Sequence, residues 1–99
     1  MDKLRELTLL VAIIETGSFS AAARLTNFSP ASATRALMAF EERLGIKLIE
    51  RTTRKISPTE AGRRLAKHAK PLIRNYEEAI LDATSESIVP RGEIGRAHV

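Results

Sequence analysis

Six residues at the start of one segment could do chemistry together: Ser29, Pro30, Ala31, Ser32, Thr34 and Arg35. Ser29-Pro30 reads as a helix cap followed by proline at the first helical position, where its missing N–H costs nothing. The free amides of that first turn carry partial positive charge and suit an anion. Short side chains let the backbone come close to a surface, and Arg35 could grip a guanine edge with two hydrogen bonds or hold a phosphate. Downstream, Arg51, Arg54 and Lys55 crowd a second short stretch with positive charge. An arginine carried on such a turn can enter the minor groove of duplex DNA, where negative potential concentrates. Ser18, a cap residue, and Met38, one turn beyond Arg35, complete the surface that would face a duplex.

Catalytic arrangements are absent from this sequence. With no cysteine there is neither a thiol nucleophile nor a thiolate metal site. The imidazoles are His68 and His98. His68 lies among Lys67, Lys70 and Arg74 with no neighbouring carboxylate to orient it, so it reads as a solvated helix histidine. Gly92 and Gly95 do not make a phosphate-cradling loop. Glu41-Glu42 and Glu77-Glu78 read as surface neighbours on helices rather than proton-sharing pairs. The expectation is a chain that is not an enzyme and that holds no metal or cofactor.

Charge supports a polyanionic partner. The formal net charge is +4, but Arg35 to Arg74 holds eleven Lys/Arg against four Glu, a net of +7. The segment from Asn75 onward is net −3. A basic centre between neutral and acidic flanks is the footprint of nucleic-acid binding, or else a solvated face. No apolar run approaches the length of a membrane span, and the N-terminus does not read as a secretory signal, so a soluble cytoplasmic protein is expected.

The elements that must hold these residues follow from periodicity. Leu4, Leu7, Leu10, Val11 and Ile14 recur at helical spacing and Gly17 stops that helix. Ser18 caps a second helix with Phe19, Ala22, Ala23 and Thr26 on one face, ending near Asn27. A third helix, about residues 30–44, points Ala33, Leu37, Phe40 and Leu44 inward and stops at Gly45. Lys47-Leu48-Ile49 and Arg54-Lys55-Ile56 are predicted as two strands around the turn Glu50-Arg51-Thr52-Thr53, with Pro58 closing the second. Thr59 caps a last long helix, Glu60 to Ser85. Its residues Leu65, Ala69, Leu72, Tyr76, Ala79 and Ala83 alternate gaps of four and three, a coiled-coil-like seam, with Ile73 and Ile80 beside it. Pro71 removes one hydrogen bond from that helix and predicts a kink. Ile88-Val89-Pro90-Arg91-Gly92 reads as a linker.

Two helices joined by a short turn and followed by a basic hairpin fit a winged helix-turn-helix. Its second helix would enter the major groove. A helix from Glu60 to Ser85 spans about 37 Å, more than so small a domain can cover, so the seam favours a second chain. Two other readings remain open on these residues. One is an RNA- or general nucleic-acid-binding module without preference among duplex sequences. The other is a protein-interaction module built on residues 59–85 with an incidental basic face.

Several separate blocks sharpen the choice. Leu7, Val11 and Glu15 precede Gly17-Ser18-Phe19-Ser20 and three alanines. Ser32-Ala33-Thr34-Arg35-Ala36-Leu37 leads to Phe40-Glu41-Glu42-Arg43-Leu44-Gly45-Ile46-Lys47-Leu48-Ile49-Glu50-Arg51. Ser57-Pro58-Thr59-Glu60-Ala61-Gly62 follows. Over residues 1 to about 85 this pattern resembles the N-terminal part of LysR-type transcriptional regulators.

The resemblance implies a mainly α architecture, a winged helix-turn-helix followed by a long dimerisation linker helix. It implies a winged domain over residues 1–58, the linker helix over 59–86, and a hinge with the start of an effector-binding domain over 87–99. It implies a bacterial transcription regulator that binds specific double-stranded DNA, with helix 30–44 in the major groove and wing 47–57 at the minor groove. The implied partner besides DNA is a second copy, joined through Leu65, Ala69, Leu72, Ile73, Tyr76 and Ile80, with a tetramer open for a longer chain. A small-molecule effector is expected in a C-terminal domain absent from this chain, which is expected to be a truncated form. Pro30, Ala31, Thr34 and Arg35 align with base- and phosphate-contacting positions of the family, and Arg54 with its wing arginine. The family often has glutamine at the position of Pro30 and proline at that of Ala31, so one direct base contact is expected to be lost here. Thr34 replaces a common serine and keeps the hydroxyl. Gly95 stands where the hinge often has arginine.

Overall fold

The computed structural model describes residues 2–52 and 54–88, the last three as backbone only. The described chain runs α1 (Lys3–Thr16), α2 (Phe19–Thr26), α3 (Pro30–Leu44), β1 (Ile49–Arg51), β2 (Ile56–Pro58) and α4 (Glu60–Ile88). Thr53 of the expected turn, the linker from Val89, His98 and Gly95 lie outside the described residues.

Local chemistry sets the helix ends. Asp2, Ser18 and Ser29 cap α1, α2 and α3, each accepting an amide of the first turn. Gly17, Asn27 and Gly45 close the same helices in the left-handed conformation, with φ of 70°, 61° and 73°. Asn27 adopts it because its short polar side chain tolerates that geometry.

The core gathers around Leu9, Leu10, Ile13, Leu48 and Ile49, the largest fully buried side chains. Ala22, Ala23 and Ala33 are also fully buried, and their small size lets α1, α2 and α3 approach closely. The expected stripe of α1 was rotated from the real one. Leu10 is buried, but Leu4, Leu7, Val11 and Ile14 lie at the margin, and Leu9, Ala12 and Ile13 go inside. Glu6 shifts that phase. Its carboxylate is 3% exposed and takes Nη2 of Arg43 at 2.6 and 2.7 Å, which ties α1 to the end of α3. On α3, Leu44 is half-exposed, and the inward position falls to Glu41 rather than to the expected leucine.

Glu41 also explains why the strands differ from the expected ones. Its Oε2 accepts the amides of Leu48 at 2.8 Å and Ile49 at 3.1 Å. Thr59 takes the other side of the same segment. Its amide donates to the Leu48 carbonyl at 3.0 Å and its hydroxyl to the Lys47 carbonyl at 2.8 Å. The Thr59–Leu48 bond continues the β1–β2 register by one step, but Glu41 takes the Leu48 amide that would complete that pair, so the regular strand begins at Ile49. Pairing starts later, antiparallel, with Ile49 opposite Pro58, Glu50 opposite Ser57 and Arg51 opposite Ile56. Arg54 and Lys55 therefore form a turn and not a strand. The Thr52 hydroxyl accepts both their amides, at 3.2 and 3.1 Å.

Thr59 also caps α4 by accepting the Gly62 amide at 3.0 Å. Gly62 is buried where a Cβ would collide with the Leu48 carbonyl oxygen, so α4 can approach β1 this closely only with glycine there. The helix then continues through Pro71 to Ile88. Its first half is part of the domain: Ala66 and Ala69 are buried, and Leu65 rests against the core. Lys70 adds an ion pair to Glu15 of α1 at 3.0 Å. From Arg74 to Thr84 every described residue is exposed.

Candidate nucleic-acid interface

The outer face of α3 carries the residues that the sequence singled out. Pro30, Ala31, Arg35 and Met38 are exposed, while Ser32 and Thr34 are half-buried. The Ser29 hydroxyl accepts the Ser32 amide at 3.1 Å and donates to the Ser32 hydroxyl at 2.9 Å. Arg35 Nη2 lies 3.4 Å from the same Ser32 oxygen, a long contact that leaves the guanidinium's other donors outward. The Thr34 hydroxyl donates back to the Pro30 carbonyl at 3.1 Å, so its proton is spent inside the helix. Thr34 is left to offer an acceptor oxygen and a methyl group. Proline at the first position keeps the helix start rigid and removes one amide from it.

Arg51 brings the hairpin to the helix-turn-helix. Its guanidinium carbon lies 4.9 Å from the centroid of Phe19, the first residue of α2, beside the capping Ser18. This cation–π contact sets a β1 cation against the N-terminus of α2. Arg54 and Lys55 project from the Thr52-held turn, exposed and without side-chain hydrogen bonds or ion pairs to α3 among the described residues. The structure thus joins Ser29, Ser32 and Arg35 in one cluster, joins Arg51 to the Ser18 corner, and leaves Arg54 and Lys55 on a separate tip.

Of the expected pairing seam, the two ends behave differently. Ala69 is fully buried and Leu65 packs on the core of its own domain, which removes both from a face open to a second chain. They are inward because α1 covers that side of α4. Leu72, Tyr76 and Ile80 are 55%, 53% and 46% exposed, and Leu81 at 67% extends the apolar surface beyond the predicted residues. Ile73 is half-buried between the two regions.

The roles of four residues at this site escaped sequence reasoning. Arg5 of α1 reaches the α2–α3 turn, where its guanidinium lies 4.0 Å above the Phe28 ring and donates to the Asn27 carbonyl at 2.9 Å. A single arginine on a first helix gives no periodic signal for such a reach. Phe19 and Phe28 serve as platforms for arginines, and nothing local distinguishes them from core aromatics. Glu41 did carry a signal: it follows Leu37 by four residues, on the inward face.

No group of three or more His, Asp or Glu able to hold a metal occurs among the described residues, and no helix there is long and apolar enough to cross a membrane.

Comparison with known proteins adds a family. The model of the bacterial regulatory helix-turn-helix protein, lysR family, matches residues 4–63. The chain is 34% identical over 94 residues to the probable HTH-type transcriptional regulator LtrA of Klebsiella pneumoniae, covering 95% of this chain and 30% of that one. It is 33% identical over 103 residues to the HTH-type transcriptional activator TtdR of Escherichia coli (strain K12), covering 96% of this chain and 33% of that one. The chain therefore spans about 30% of the length of the curated relatives it matches. Among solved structures, it resembles the BenM_DBD/catB site 1 DNA complex with a TM-score of 0.79 and 28% identity, over 91% of this chain and all of that one. It also resembles the oxidized form of Corynebacterium glutamicum OxyR, with a TM-score of 0.82 and 35% identity over 93% of this chain and 28% of that one.

Proposed function

This chain belongs to the LysR family of bacterial regulatory helix-turn-helix proteins, and from that premise we propose that it binds specific double-stranded DNA as the reading head of a transcription regulator. The observation that carries this reading is the outer face of α3. Ser29, Ser32 and Arg35 form one polar cluster at its N-terminal end, flanked by the short exposed side chains of Pro30 and Ala31. A helix presented this way fits the major groove. The exposed cationic turn of Arg54 and Lys55 supports a contact with the adjacent minor groove, and Arg51 on Phe19 holds the hairpin beside α2.

The reading head acts in pairs in this proposal. The exposed apolar face of Leu72, Tyr76, Ile80 and Leu81 on the outer half of α4 supports a homodimer that presents two copies of α3 to a two-fold site. Effector control and any higher assembly are assigned to parts beyond residues 1–88, and the site of action to the cytoplasm, where the chromosome is.

Selection of bound duplexes from a random DNA pool tests the reading. The expected result is enrichment of one two-fold sequence. Recovery of duplexes without common sequence would favour a general nucleic-acid binder, and no recovery at moderate salt would reject DNA binding.

A further inference from the structure

We infer that Arg5, at the start of α1, is a DNA-backbone contact residue whose guanidinium is pre-positioned by Phe28 and Asn27; the inference rests on the DNA-binding reading above. Arg5 is exposed, yet its head group is not free to wander. The Phe28 ring supports one face at 4.0 Å, and the Asn27 carbonyl takes one N–H of Nη2 at 2.9 Å. A guanidinium has five N–H donors. The Asn27 bond uses one, and Arg5 makes no ion pair among the described residues. The nearby Asp2 carboxylate caps the Leu4 amide through Oδ1.

What lies beside those remaining donors points to a phosphate. Arg5, Ser29, Ser32 and Arg35 line one shallow depression at the N-terminal end of α3, and no acidic side chain among the described residues lines it; Asp2 and Glu77 border Arg5 on the side away from α3. Two arginines and two serines thus line a common space, in which the Ser29 hydroxyl donates to Ser32 and leaves the Ser32 proton for a further acceptor. Asn27 adds a structural reason. Its left-handed backbone turns the chain from α2 into α3, and the carbonyl that Arg5 holds belongs to that turn. Arg5 therefore touches the element that aims α3 while offering charge on the same side. A phosphate contact here would fix how α3 enters the groove without reading a base, the usual division of labour between backbone and base contacts. The stack also favours arginine over lysine, since an ammonium has neither a flat face nor a fork of donors.

The test is a salt series of duplex binding by the 99-residue chain, comparing the unaltered protein with Arg5→Ala, Arg5→Gln and Arg5→Lys on one mixed-sequence duplex. Each phosphate contact contributes about 0.9 to the slope of log K against log salt. Loss of one contact should flatten the slope by about 0.9 and weaken binding about five-fold at physiological salt. Arg5→Gln is expected to match Arg5→Ala, and it carries the test if the alanine variant unfolds. Arg5→Lys should keep the slope and lose a smaller part of the affinity. An unchanged slope in folded Arg5→Ala or Arg5→Gln, with the unaltered chain binding normally, would overturn the Arg5 assignment alone. Absence of duplex binding by the unaltered chain would instead defeat the reading on which it rests.

Discussion

The carboxylate of Glu41 accepts the backbone amide of Leu48 at 2.8 Å and so holds the entry to the hairpin against the C-terminal half of the candidate reading helix. The same oxygen takes the Ile49 amide at 3.1 Å, and Lys47 Nζ lies 3.9 Å from the other oxygen. The charge is buried but answered by donors. Glu41→Ala would leave two buried amides unpaired, at about 1–3 kcal/mol each. We expect a loss of about 2–4 kcal/mol in urea unfolding. Glu41→Gln should recover part of it, because an amide oxygen can still accept one of the two bonds.

Gly62→Ala sets two effects against each other. Alanine favours a helix over glycine by about 1 kcal/mol. At this position its Cβ would strike the Leu48 carbonyl oxygen, which is backbone and cannot swing away. Overpacking of this kind costs about 1–3 kcal/mol, so the expected net change is a loss. A thermal melt checks the sign, and a higher midpoint would mean that β1 and α4 separate easily.

Arg43 and Glu6 should behave as one unit. Arg43→Met leaves the nearly buried Glu6 carboxylate without its partner, at about 1.5–3 kcal/mol. Combining it with Glu6→Leu removes the orphaned charge and should restore most of the stability. A double-mutant cycle by denaturant titration reads the coupling, and additive losses would count against the pair.

Arg35→Ala is expected to weaken binding to a selected duplex by about 1–3 kcal/mol and to relax preference at one base position. Arg54→Ala should cost affinity chiefly where A·T-rich flanks narrow the minor groove. Titrations of both variants at one fixed salt concentration distinguish these outcomes. Equal loss on every duplex would make either arginine a phosphate contact.

Ile80→Glu and Ala69→Glu should diverge although both lie on α4. Ile80 is open to solvent, so a charge there should yield a folded monomer in sedimentation. Ala69 has no exposed surface, and a glutamate there should unfold the domain. A dimer that persists in Ile80→Glu would move the pairing face elsewhere.

What could be read in advance divides by how local its cause is. The caps at Ser18 and Ser29 and the stops at Gly17, Asn27 and Gly45 depend on neighbours within four residues, and each falls where the sequence places it. The phase of α1 depends on Arg43, thirty-seven residues away from Glu6, and a rule that treats glutamate as solvent-facing turns the helix the wrong way. The strands were misplaced for the same kind of reason, since Glu41 and Thr59 claim the backbone of Lys47 and Leu48 from a distance. Leu65 and Ala69 fit a pairing seam by spacing alone. Only the packing of α1 across α4 shows that they are already in use. At the candidate interface, the outward residues of α3 were legible because a cap and a proline fix the helix start. Arg5 was not, because its partners come from a turn twenty-two residues on.

The way α4 is anchored has a mechanical consequence. Its first turns are gripped by the Thr59 cap, the Gly62 contact and the Lys70–Glu15 pair, Tyr76 and Glu77 still lie beside the start of α1, and the helix beyond them extends past the domain. The eleven helical residues 78–88 make an arm of about 16 Å. Tilting such an arm by about 10° at its root moves its tip by about 3 Å, roughly half the rise of one helical turn. The domain and the far end of α4 are thus joined by a lever rooted on α1, and a small change of angle at the root becomes a displacement at the tip.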